Sequence, residues 1–165
     1  MAARAPARSQ LSLENEMTYR VDLNRLTREM VSARLADIND PAALAADVAG
    51  KTIALGLKAS PGLERLDLIR EVCSGAMAGL LVGGERVPAG AAGILSCVVD
   101  AASTGHIDPC EAMTAALRGI AEISRAAPEG QLYDIGCALE ERFHGAGDAF
   151  RRLLQERSAM GSLRS

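Results

Sequence analysis

Aromatic rings are scarce in this chain, with two Tyr, two Phe and no Trp. Proteins that hold single-stranded nucleic acid stack bases on such rings. The net charge of -3 offers no basic footprint for a duplex either, so both absences argue against a nucleic-acid partner. Lysine is nearly missing, with Lys51 and Lys58 alone, and histidine is limited to His106 and His144. Cys73, Cys97, Cys110 and Cys137 are far apart with no CxxC pair, which argues against a zinc ribbon and against a tight redox motif. Reduced and mostly buried thiols are expected.

Long apolar runs are missing too. The two uncharged stretches, 73–84 and 87–99, flank Glu85 and Arg86 and fall short of the ~20 residues that a spanning helix needs. No spanning segment is expected, although a membrane-penetrating hairpin of this length stays open. The amino end carries Arg4 and Arg8 but no apolar core of secretory-signal length, so a cytoplasmic location is the expectation. At 165 residues, one domain with its own core is the default.

What remains is rich in Ala and Leu, strong helix formers, and poor in the β-branched and aromatic residues that strands favour. Pro41, Pro61, Pro88, Pro109 and Pro128 each precede a helical run, and proline suits a first turn because its missing donor would be unpaired there. Asp40, Ser60 and Asp108 stand before three of these prolines as caps, and Asp108 with Glu111 has capping-box spacing. Gly83 with Gly84, Gly105, and Gly145 with Gly147 mark the stops.

Apolar residues between these marks recur at helical spacing. Helices are predicted near 18–37, 41–57, 61–82, 88–103, 109–126, 129–144 and 147–158. The expected fold is all-α: a single-domain bundle or array of about six to seven short antiparallel helices around a buried Gly/Ala-rich central hairpin. Residues 1–16 read as a disordered tail, 17–160 as the helical domain and 161–165 as a frayed end. The stretches opening with Asp40-Pro41 and Asp108-Pro109 raise the question of a duplicated helical hairpin.

The run AADVAGKT, residues 45–52, spells a relaxed phosphate-binding signature. A phosphate cradle needs a strand ahead of it, a free glycine bend and a helix starting at the lysine. Here a capped helix has begun ten residues earlier at Asp40, so the spelling reads as an accident inside a helix. No cofactor is expected.

Two pairs could carry chemistry. His106 and Cys110 flank a helix start, where the dipole favours a thiolate, so they form the candidate catalytic pair. Against it, Asp108 places negative charge beside the thiol and no oxyanion cradle is recognisable. Glu141 and His144 have the ExxH spacing of a di-iron ligand pair and are the metal candidates, but such a site needs a second pair and two further glutamates. His144, just before Gly145, equally suits a helix carboxyl end. Tyr133, Phe143, His144 and Phe150 are expected to fill one end of the core.

Gly75, Gly79 and Gly83 recur every fourth residue, and Ala89, Gly90 and Gly93 can make a second smooth strip opposite. Such strips let backbones approach closely, either within the chain or between two copies. These six are the candidate interface. The function expected from all this is a non-enzymatic cytoplasmic interaction protein, self-associating and acting through a surface on an unidentified protein partner. The alternative is a carrier or membrane-surface protein that takes an apolar ligand or lipid through the 73–99 hairpin.

Overall fold

The computed structural model describes residues 23–34, 39–59, 64–84 and 86–164. They form helix α1 over 23–34, α2 (Pro41–Ala59), α3 (Arg65–Gly83), α4 (Val87–Thr104), α5 (Pro109–Ala121), α6 (Glu129–Arg142) and α7 (Ala146–Ser162). There is no strand among the described residues, and the fold is all-α. The tail at 1–16, the start of the first helix, and the Ser60-Pro61 cap lie outside the described residues.

Local punctuation explains most of these boundaries. Pro88 stands in the first turn of α4 and Pro109 opens α5. The Asp108 carboxylate accepts from the amides of Cys110 at 2.8 Å and Glu111 at 3.1 Å, which satisfies two otherwise orphaned donors. Asp40 accepts from Ala43 at 3.2 Å in the same way. At the end of α3, Gly84 turns left-handed with φ 72, a conformation open to glycine, and its amide bonds back to Leu81. Two ends differ from expectation. The fifth helix tightens into a 3-10 turn over Glu122–Arg125, and α7 runs on to Ser162, past the expected stop at 158.

The helices stack in two layers. α2, α4 and α6 form one, and α1, α3, α5 and α7 form the other. Within a layer the well-defined neighbours run parallel. Asn24 lies against Gly75 and Val31 against Gly79, while Ala42, Ala46 and Gly50 of α2 meet Gly90, Gly93 and Cys97 of α4 in the same order. Hairpins α2–α3, α4–α5 and α6–α7 join the layers, and each stacks on its predecessor as in helical-repeat proteins. Asp40-Pro41 therefore opens a helix of one layer and Asp108-Pro109 a helix of the other. Shared capping chemistry, rather than an equivalent place in a repeat, accounts for the likeness.

The core is aliphatic, with Ile53, Ile69, Met77, Leu80, Ile94 and Leu139 among its fully buried side chains. Phe150 is fully buried as well, but the expected aromatic cluster does not form: Phe143 is half-buried, His144 is exposed, and Tyr133 is 67% exposed. α4 is long and apolar enough to cross a membrane, at 18 residues, the one such helix among the described residues. It packs on α2, α3, α5 and α6, and 39% of that stretch is buried.

Candidate functional site

Lys51 lies in the interior of α2, with helix before and after it. The amides around Gly50 are committed to intrahelical bonds, and helix α2 has already begun at Pro41, so the phosphate signature has no cradle to form. The Lys51 ammonium pairs with Asp47 one turn back, at 2.8 Å.

The same residues nevertheless line a groove of about 570 Å³, which runs along the seam between α2 and α4. Its geometry follows from side-chain length. Along the seam stand Gly50 and Leu57 of α2 and Cys97, Ala101 and Gly105 at α4, all buried or half-buried, with the exposed methyl of Ala54 between them. The rims carry long or charged side chains, Asp47, Lys51 and Lys58 on one side and Asp100 and His106 on the other. Both lysines of the chain are on this groove.

Its two ends differ in charge. Toward the amino-terminal end, Asp47 is neutralised by Lys51, and burial, then Asp100 and Asp47, push the Cys97 thiol up from its ordinary range. That thiol stays protonated near neutrality and is a poor nucleophile. At the carboxyl-terminal end are Lys58, Arg65 and His106. Lys58 has no ion-pair partner among the described residues. Arg65 donates from Nη2 to the Gly105 carbonyl at 2.7 Å, while its Nε is buried with no acceptor. His106 holds a left-handed backbone, φ 54, where a non-glycine residue is strained.

The structure does not bring the candidate catalytic pair together. His106 faces the α2/α4 groove, whereas Cys110 is exposed in a separate groove between α3 and α5 with Leu66, Arg70 and Thr114. The left-handed turn at His106 redirects the chain between them. Nor do Glu141 and His144 converge. His144 Nδ1 lies 3.1 Å from Glu140 Oε1 instead, and Glu141 is exposed. Glu140 accepts from the amides of Gly145 at 2.9 Å and Gly147 at 3.0 Å, so it caps the start of α7. Those bonds, that to Gly145 foremost, hold its carboxyl below the usual carboxylate range.

The six small residues of the candidate interface are distributed differently from expectation. Methyls placed on Gly75 or Gly79 would collide with α1: the first with the Asn24 carbonyl, the second at 2.8 Å from Val31 Cβ and 2.9 Å from Arg28 O. Gly90 is covered by Leu80, and Gly93 would meet Ala46 at 3.1 Å. Gly75 and Gly79 thus face α1, Gly93 faces α2 and Gly90 lies under Leu80 of α3, and only Gly83 and Ala89 of the six are exposed.

Sequence reasoning missed the groove and with it Lys58, Arg65, Cys97 and Asp100. The available signal was the helical spacing of Asp47, Gly50, Lys51, Ala54 and Lys58, a stripe that mixes very small and charged residues. In comparisons with known proteins, no family model, no curated protein and no solved structure matches this chain.

Proposed function

We propose that this protein is a non-enzymatic binding protein whose working surface is the groove over the α2/α4 seam. The observation that carries this reading is the groove's construction, a floor of small and apolar side chains between charged rims, held by two helices rather than by loops. Sites on helices keep their geometry better than sites on loops. The separation of Cys110 from His106 supports binding over catalysis, since that thiol and that imidazole line different grooves.

The carrier reading gains from the groove's size, because about 570 Å³ falls within the ~300–1,000 Å³ typical of small-molecule sites. Its seat moves, however, from the 73–99 hairpin, where Gly75, Gly79, Gly90 and Gly93 are covered by α1, α2 and Leu80, to the α2/α4 groove. Self-association loses the glycine strips as its basis. It is proposed instead through Met160 and Leu163 near the end of α7, 65% and 86% exposed, and light scattering that shows a monomer at every concentration removes it.

Nile red, an uncharged apolar dye, tests the groove. Its fluorescence should rise on binding, and Ala54→Trp, a change at an exposed position that fills the slot, should abolish the rise while leaving the circular dichroism intact. Unchanged dye binding in that variant contradicts the reading.

A further inference from the structure

Within this binding reading, on which the step rests, we infer that the groove takes an anionic amphiphile: a single alkyl chain ending in a carboxylate, with the head at Lys58 and Arg65 and the chain over Ala101, Ala54 and Cys97.

Charge at the carboxyl-terminal end fixes the sign of the head group. α2 and α4 run parallel, so both end here, and each helix terminus contributes roughly half a negative charge. Against that combined charge of about one unit stand Lys58 and Arg65. One Arg65 donor is spent on the α4 terminus through Gly105 and its Nε is buried, whereas Lys58 is exposed and has no ion-pair partner among the described residues. Lys58 is thereby the ammonium without a partner at this end, which a single carboxylate meets with charge-assisted hydrogen bonds. His106, on the same rim, adds a further polar contact for the head.

Orientation follows from the opposite end. Asp47 is already held by Lys51 at that end, and Asp100 stands mid-groove on α4, level with Ala54, so a carboxylate placed at either position would be repelled. The head is thereby confined to the Arg65 end and the chain extends toward Cys97.

The width of the slot argues for a chain rather than a peptide helix. Packed helices lie about 8–10 Å apart, and the seam is tight here, since a methyl on Gly50 would sit 3.2 Å from Cys97 Cβ. A helix about 10–12 Å across with its side chains would ride on Lys51, Lys58 and Asp100 without reaching the floor.

Calorimetric titration of the full chain tests this, with dodecanoate, octanoate and dodecyltrimethylammonium, each kept below its micellar concentration. Dodecanoate should bind, the ammonium of equal chain length about tenfold or more weaker, and octanoate weaker than dodecanoate because fewer methylenes are buried. Lys58→Glu, at an exposed position without a partner, should weaken dodecanoate about tenfold at low salt, and the difference should shrink as salt screens it. Equal or tighter binding of the ammonium, or indifference to Lys58→Glu, overturns the anionic head but leaves the groove standing if Nile red still depends on Ala54. Dodecanoate binding that survives Ala54→Trp overturns both.

Discussion

Two seams of this molecule are built from the same kind of residue and end in opposite ways. Between α1 and α3, the space left by Gly75 and Gly79 is filled by the α1 backbone and by Val31, so nothing remains open. Over the α2/α4 seam, Gly50, Ala54 and Ala101 face outward, no third helix among the described residues covers them, and their missing volume remains as a groove. Small residues let helices approach, but whether the result is a joint or a binding slot depends on what lies over the seam.

Gly79→Leu breaks the closed seam and should have the largest effect. The added side chain meets α1 backbone and Val31, and overpacking of this kind costs about 1–3 kcal/mol or more. The denaturation midpoint should fall accordingly with no change in oligomeric state. Ala54→Leu, at the open seam, should stay within ~0.5 kcal/mol, as exposed substitutions do. Equal losses at the two sites would erase the distinction between them.

An intermediate effect is expected where the closed layer is anchored at the start of α5. Asp108→Ala removes the acceptor for the Cys110 and Glu111 amides and should cost about 1 kcal/mol in chemical denaturation, without altering dye binding in the α2/α4 groove.

A smaller effect than that of Asp108→Ala belongs to Glu140, which caps α7 in that same layer. Its folded carboxyl is held below the ordinary range, chiefly by the Gly145 amide. The linked stabilisation is therefore fully present above the usual glutamate value of about 4.3 and is lost as pH falls through the lowered folded value. Glu140→Gln should lower Tm at neutral pH, and the gap from the parent protein should close on acidification. A gap that widens below pH ~4 contradicts the capping role.

Helix boundaries were legible in the sequence because capping is local. Asp108, Pro109 and Gly84 act within a few residues of themselves, and the structure places them at helix ends. Contacts between helices were not legible, since a four-residue glycine rhythm says that a face is smooth without saying what covers it. The Gly75 strip accordingly meets α1 rather than α4. Nearness in sequence does not make His106 and Cys110 neighbours in space, because a left-handed residue at the turn sends the two side chains to different grooves. The α2/α4 groove joins residues some 45 positions apart, such as Gly50 and Cys97, and it is made largely of missing side-chain volume, which leaves little pattern to read.

Cys97 on the groove and Cys110 outside it provide the most direct test of the groove as the working surface. Alkylation of each by N-ethylmaleimide can be followed by peptide mass spectrometry, with and without saturating Nile red. Slower modification of Cys97 with Cys110 unchanged is the expected result. Equal rates at Cys97 with and without the dye, or equal protection of both thiols, would show that the groove is not where binding occurs.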